Sequence, residues 1–365
     1  MEEPMQQDLT ICASESATLG RWFAGRKGAA ALSLCLSLLV CAPVADAAAL
    51  PSADEVLKEL RISDSDKQSI MEGKIVKWTA TEGSDRELAI GMAFLIKTKP
   101  ENLVQIFREA GGLKKMSAIT ARGRIAGDGT LVDFAGVKLM PNGEKEARRY
   151  LEAEPGDALN LDTKEIAAFR ALKAAHKDGA VPVKEVEALV RQTLLSRHQA
   201  YRSKGLAGIS PYERGDGHHL NPSDELSISS KQMQGLAKFV PVVSDTLLNY
   251  PASKPKDLEE QFMWLNIDVF GRPTYVLSHR MLFRIGEQLI AADRHFYTSH
   301  DYNSMQQGVA ALPITGGTLM IYLGRVSTDQ VAGFGSGAKH PVSRALMGPY
   351  LEDLFENVRT MAEKR

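Results

Sequence analysis

Residues 258–325 constrain the fold more than any other part of the chain. From Glu259 they read Glu-Glu-Gln-Phe-Met-Trp-Leu-Asn-Ile-Asp-Val-Phe, a Gly-Arg-Pro turn at 271–273, then Thr-Tyr-Val-Leu-Ser-His-Arg-Met-Leu-Phe. A second turn at Ile285-Gly286-Glu287 opens Gln-Leu-Ile-Ala-Ala-Asp-Arg-His-Phe-Tyr. After a polar link, Gly316-Gly317 opens Thr-Leu-Met-Ile-Tyr-Leu-Gly-Arg. Aromatic and β-branched runs cut by short Gly/Pro turns predict antiparallel strands joined as a meander. The runs are too short for a helix-period stripe.

Alternation at period two sorts each run into faces. Met263, Leu265, Ile267 and Val269 oppose Phe262, Trp264, Asn266 and Asp268. Tyr275, Leu277, His279 and Met281 oppose Val276, Ser278, Arg280 and Leu282. Leu289, Ala291, Asp293 and His295 oppose Ile290, Ala292, Arg294 and Phe296. Neither face is cleanly polar, so both are expected to be at least partly covered. Register, and with it the alignment of faces, is not readable.

The rest of the 365 residues are globular in composition, and the net charge of −1 argues against a general nucleic-acid binder. Arg21, Arg26 and Lys27 precede an apolar run at 29–40, and Ala45-Asp46-Ala47 is a small-x-small cleavage site. The pattern predicts a secretory signal peptide, with an N-terminal extension, over residues 1–47. Its apolar core is too short to span a membrane stably, so no integral span is expected after cleavage. The three cysteines, Cys12, Cys35 and Cys41, all fall in this segment. A mature, exported chain would have no disulfide, and no thiolate, Cys-zinc or iron–sulfur chemistry.

Residues 48–140 predict an N-terminal α+β part. Ser52 with Glu55 forms a capping box, 73–81 and 87–96 read as strands, and Pro100-Glu101 starts a helix that Gly111-Gly112 ends. Residues 116–125 and 130–139 read as two strands around a Gly127-Asp128-Gly129 hairpin turn. Residues 141–257 turn helical, strongest at 183–204, with helix again over about 231–249, interrupted near Pro241, and 258–365 hold the meander and a terminal helix over 341–364. The class is α+β: an antiparallel β meander packed on a long C-terminal helix, with a helical insertion.

Strand 87–96 running into Lys99-Pro100-Glu101-Asn102-Leu103-Val104, the meander and the last helix together resemble the START-like (helix-grip) arrangement. They cover about half of the mature chain, and 141–257 departs from it as an insertion. The resemblance implies a sheet wrapped on the helix around an apolar cavity, with lipid binding. The whole chain also resembles an uncharacterised family of secreted bacterial proteins, which carries no function with it.

The densest polar cluster is residues 293–303. His295 or His300 could act as a base oriented by Asp293 or Asp301, as a hydrolase or lyase requires. Equally, these groups could satisfy one another at a strand end. Ionisable groups on three neighbouring strands, beside aromatics, suit the polar end of an apolar pocket. The candidate ligand-binding residues are Trp264, Asp268, His279, Arg280, Arg294, His295, Tyr297 and Tyr322. His218-His219 lacks the spacing of a metal motif and reads as a solvated loop. The glycines at 333, 335 and 337 lack phosphate-loop spacing and suit a hinge. No metal and no cofactor is expected. The first expectation is an exported, periplasmic or secreted, soluble protein holding a hydrophobic or amphipathic small molecule. The alternatives are the His/Asp enzyme and an envelope interaction protein without a ligand.

Overall fold

The computed structural model describes residues 50–109, 116–176, 179–269, 271–333 and 335–364. The expected signal segment, all three cysteines and the Gly111-Gly112 helix stop lie outside them. The chain from Ala49 to Arg365 forms one compact unit.

In chain order the elements are α1 (Ala53–Glu59), α2 (Asp64–Met71), β1 (Val76–Thr79), β2 (Glu87–Ile96), α3 (Glu101–Arg108) and β3 (Ile119–Ile125). The insertion follows as α4 (Gly143–Leu151), α5 (Thr163–Ala175), α6 (Val183–Lys204), β4 (Tyr212–Gly215), β5 (His218–Leu220), α7 (Pro222–Lys231), α8 (Leu236–Phe239) and α9 (Pro241–Asn249). The chain then forms β6 (Glu259–Val269), β7 (Arg272–Ile285), β8 (Gln288–Thr298), β9 (Ser304–Ile314), β10 (Gly317–Ser327) and α10 (Ser336–Glu363).

Eight strands make one antiparallel sheet in the order β1-β2-β10-β9-β8-β7-β6-β3. The meander supplies its centre. Strands from the N-terminal part flank it, β2 on β10 and β3 on β6, so residues 48–140 and 258–365 share one sheet. With the terminal helix and the inserted helices this is the α+β class expected.

Both faces are covered. On one, Met92, Phe94, Leu282, Met320 and Tyr322 pack against Ile106 of α3 and Phe355 and Val358 of α10. On the other, Trp264, Tyr275, Leu277 and Phe296 pack against Phe169 of α5 and Val190, Leu194 and Tyr201 of α6. Further along that second face, Val243 and Leu247 of α9 cover Phe283 and Ile290.

Local signals explain the helix ends. Ser52 with Glu55, and Asp162 with Glu165, form complete capping boxes. Gly205 stops α6 at φ 58°, ψ −136°, and a Cβ there would lie 1.7 Å from the Tyr250 carbonyl oxygen. Only glycine fits such a conformation and approach.

Four expectations are corrected. Residues 130–139 form turns rather than a strand, because Asp133 caps the Thr130 N–H at 2.7 Å and the backbone closes short-range bonds with itself. The polar link before Gly316 is a full strand, β9, with Pro313 near its end. The helix expected over about 231–249 is interrupted at Pro241 as expected, but its first part shrinks to the single turn α8, which starts only after the left-handed Gly235, because α7 already ends at Lys231. His218-His219 is strand β5 of a small hairpin, both side chains exposed, with His219 Nδ1 3.1 Å from Glu213 Oε2.

Polar networks fasten the insertion to the sheet. Arg214 donates to Asp329 Oδ2 (2.9 Å), the Gly156 carbonyl (3.0 Å) and Asn160 Oδ1 (2.8 Å). Glu225 of α7 accepts from Asn303 Nδ2 (3.1 Å) and Ser304 Oγ (2.9 Å). Burial pushes its carboxyl up to about 7 against these two bonds, and the nearby Asp329 charge adds to the rise. The sign follows from linkage. Below the ordinary value of 4.5 the group is neutral in both states. As pH rises towards 7 the folded state must hold a proton that the unfolded state releases, so stability falls, by up to about 3 kcal/mol. Glu225→Gln is expected to flatten this dependence and to be more stable than the parent at pH 8 but not at pH 4.5. Urea midpoints at the two pH values check it, and a parallel pair of curves would refute it.

Candidate functional site

A pocket of about 130 Å³ lies between the sheet, α3 and α10. Period two on β7, β8, β9 and β10 builds its floor. Arg280 faces Asp293, Ala291 faces Val309, and Val309 faces Tyr322 across the registers. Leu282 and Val309 on the sheet, Ile106 and Phe107 on α3, and Leu354, Phe355 and Val358 on α10 give it an apolar body.

Its polar end is a chain of side chains. Ser278 Oγ donates to Asp293 Oδ1 at 2.6 Å, and Gln307 Nε2 donates to Asp293 Oδ2 at 3.4 Å. Tyr322 OH donates to Gln307 Oε1 at 3.1 Å. The Tyr322 ring meets Phe355 edge-on at 4.9 Å and lies over Gly324, where any Cβ would come within 2.1 Å of the phenol oxygen. Burial pushes the Tyr322 phenol up, so it stays a donor at ordinary pH.

Arg280 is the exception to this pairing. Its Nη2 donates to the Phe107 carbonyl at 2.8 Å, and its Nε is 4.0 Å from Asp293 Oδ2. Its Nη1 is buried without a partner. Burial lowers its pKa, Asp293 opposes this, and the charges of Arg124 and Arg122 on β3 add to the lowering. A buried guanidinium N–H without an acceptor is costly unless a ligand or water meets it.

The predicted residues divide between the two faces. Arg280, Asp293 and Tyr322 line the pocket. His295 is on the same face, next to Asp293 by two residues along β8, but its Nδ1 bonds Tyr302 OH at 2.8 Å and it does not line the cavity. Burial lowers its pKa, with Asp293 opposing. Trp264, His279, Arg294 and Tyr297 leave the opposite face, Trp264 towards the turns after β3 and the others towards the insertion. Trp264 Nε1 donates to the Asp133 carbonyl at 2.7 Å. The Arg197 guanidinium lies 4.4 Å over the Tyr297 ring. Asp268 is exposed at the end of β6 and caps the Gly271 N–H at 2.7 Å.

Arg294 is fully buried, and each of its three nitrogens has an acceptor among Gln306 Oε1 (2.8 Å), Ser230 Oγ (3.1 Å), the Leu247 carbonyl (2.6 Å) and Tyr201 OH (3.3 Å). Tyr201 OH also bonds His279 Nδ1 at 3.0 Å, and His279 Nε2 lies 3.2 Å from Glu260 Oε2. Burial pushes His279 down to about 4, so it is neutral at pH 7. Burial alone would raise Glu260, yet its contacts with His279 and Lys254 bring it down to about 2. With Glu260 ionised, His279 donates from Nε2 and accepts from Tyr201 at Nδ1. Every group in this relay has a structural partner.

His300 and Asp301 do meet. His300 Nδ1 pairs with Asp301 Oδ2, and His300 Nε2 bonds the Pro273 carbonyl at 3.2 Å. Thr274 Oγ1 donates to the same carboxylate at 2.7 Å. Burial pushes Asp301 up, but His300, Thr274 and the Arg272 charge outweigh it and hold it low. The histidine has both nitrogens engaged and does not line the pocket, so the pair braces the β8–β9 connection. Among the described residues no cluster of three or more His, Cys, Asp or Glu side chains is arranged to hold a metal ion.

Gln261 and Gln307 line the pocket and were not among the predicted residues. Gln307 was hidden because β9 was not recognised as a strand. Gln261 carried a usable signal, since it shares the period-two face of Met263 and Leu265. Comparison with protein-family models, with curated proteins and with solved structures finds no match to this chain.

Proposed function

We propose that the protein is exported and binds a small amphipathic molecule between its sheet and its C-terminal helix. The observation that carries this reading is the Arg280 Nη1 donor, buried and unpaired on a residue that lines the polar end of a pocket with an apolar body. Pockets with an apolar body and a few convergent polar groups are the usual form of small-molecule sites. The polar end is Arg280, Asp293, Gln307 and Gln261, with Tyr322 closing the chain. The basic, apolar and small-residue run over 21–47 supports export to the periplasm or beyond. No helix among the described residues is long and apolar enough to cross a membrane.

The reading of a His/Asp enzyme draws no support from the pocket, whose lining contains no histidine. One experiment tests both halves of the proposal. Native mass spectrometry of the protein purified from whole cells that express the full chain should show a mature chain beginning at Ala48 and a small-molecule adduct. Ala291→Phe, which places a ring in the pocket, should remove the adduct while leaving the protein folded. An apo mass, with no binding to a panel of aromatic and short-chain ligands, would overturn the ligand; an uncleaved chain would overturn export.

A further inference from the structure

The polar end of the pocket narrows the ligand class, an inference that rests on the binding proposed above. Gln261 sits directly opposite Arg280 across β6 and β7, on the same face. Its Nε2 donates to the Arg108 carbonyl at 2.9 Å, which fixes its amide orientation. Its Oε1 is then buried without a partner, like Arg280 Nη1 beside it on the sheet. One wall therefore offers an unpaired cationic donor and an unpaired neutral acceptor on facing residues.

The surroundings are cationic. Arg108 and Arg284 share the single carboxylate of Glu259, with Arg108 Nε 2.6 Å and Arg284 Nη2 3.1 Å from it. Arg122 and Arg124 add their charges from β3. These arginines, with Arg280, outnumber Glu259 and Asp293, and Asp293 already accepts from Ser278 and Gln307. A positive mouth over an apolar body favours an anionic headgroup, and a guanidinium favours a carboxylate. The volume of about 130 Å³ is close to the ~150 Å³ of an apolar cavity that holds one benzene ring, well short of a two-chain lipid.

We propose that the ligand is a 2-hydroxy carboxylate with a short apolar body, a single ring or a short chain. Its carboxylate accepts from Arg280 Nη1, its hydroxyl donates to Gln261 Oε1, and its apolar part lies between Ile106, Val309, Phe355 and Val358. Titration calorimetry on the full chain tests this with three probes: mandelate, phenylacetate (no hydroxyl) and 1-phenyl-1,2-ethanediol (no carboxylate). Mandelate should bind at least about tenfold tighter than either. Arg280→Met should erase its advantage over the diol while the diol still binds, and Gln261→Leu should erase its advantage over phenylacetate. Should Arg280→Met not fold, Arg280→Lys keeps the charge but loses the fork, and mandelate affinity should still fall. Equal binding of mandelate and either analogue by the parent overturns the inference and leaves the pocket reading standing. No binding of any probe, with no native adduct, overturns both.

Discussion

Glu87→Ala is expected to lower stability by about 3–5 kcal/mol, the range for a buried ion pair that loses one partner. Glu87 and Arg325 are each about 1% exposed, and Arg325 Nη1 donates to Glu87 Oε2 at 2.8 Å. Glu87 also accepts from the Gly83 N–H (2.6 Å) and Ser229 Oγ (2.6 Å). Arg325 Nη2 donates to the Thr81 (2.9 Å) and Gln232 (2.7 Å) carbonyls. The pair thus joins β2, β10, the β1–β2 loop and the end of α7. Without Glu87 the Arg325 charge remains in a site that burial already makes unfavourable for it. Arg325→Met should cost a similar amount. The double variant Glu87→Ala/Arg325→Met should cost clearly less than the sum of the two single variants, because no unpaired charge is left. Urea unfolding of the four proteins gives the coupling. Strict additivity, or a single-variant loss under about 1 kcal/mol, would rule out the pair as a fastening.

Tyr201→Ala is expected to cost about 3–5 kcal/mol, as other buried aromatic truncations do. The Tyr201 ring stacks on Phe296 at 4.0 Å and meets His279 edge-on at 5.7 Å. Its hydroxyl bridges Arg294 and His279. Tyr201→Phe keeps the stack and removes the bridge, so its cost should be about 1–3 kcal/mol, the penalty for leaving buried partners unmet. The difference separates packing from polar pairing. The His279 ring proton near Glu260, followed by NMR, gives a second readout: it should shift in Tyr201→Phe, where Nδ1 loses its donor. Equal stability of Tyr201→Phe and the parent would show that the relay contributes nothing measurable.

The sequence exposed the class of the fold more clearly than the composition of its site, and the reasons are local. Strands β6, β7, β8 and β10 are bounded by glycine turns and rich in aromatic and β-branched residues, so their periodicity was legible. Strand β9 reads Ser-Met-Gln-Gln-Gly-Val-Ala-Ala-Leu-Pro-Ile. It is held by its neighbours rather than by propensity, with buried Gln306 bonded to Arg294 and half-buried Gln307 bonded to Asp293 and Tyr322.

Arg280 and Arg294 looked equivalent as candidate anion-binding residues. They are cross-strand neighbours by one register step, Arg280 opposite Asp293 and His279 opposite Arg294, and so they leave opposite faces of the sheet. One meets the pocket and the other the insertion, and register decided which. Tyr297 shows a subtler failure. Strict alternation puts it with Asp293 and His295. The register shift at Leu277/Ser278 leaves Phe296 as an extra residue and pairs Tyr297 with Leu277, so both aromatics turn to the insertion. A bulge of this kind has no signature in a single sequence.

The ten residues of β2 are all buried, between β1 and a strand that arrives far later in the chain. Glu87 and its partner Arg325 are 238 residues apart. Synthesis proceeds from the N-terminus, so the run Leu-Ala-Ile-Gly-Met-Ala-Phe-Leu-Ile is made long before β10 exists to cover it. During that interval the nascent chain carries an uncharged, strongly apolar segment with an open hydrogen-bonding edge, the kind that associates with other chains. Final assembly must also wait for this distant closure, which slows folding by raising the contact order. The position of β2 therefore places the hazard of aggregation in the newborn polypeptide rather than in the finished molecule.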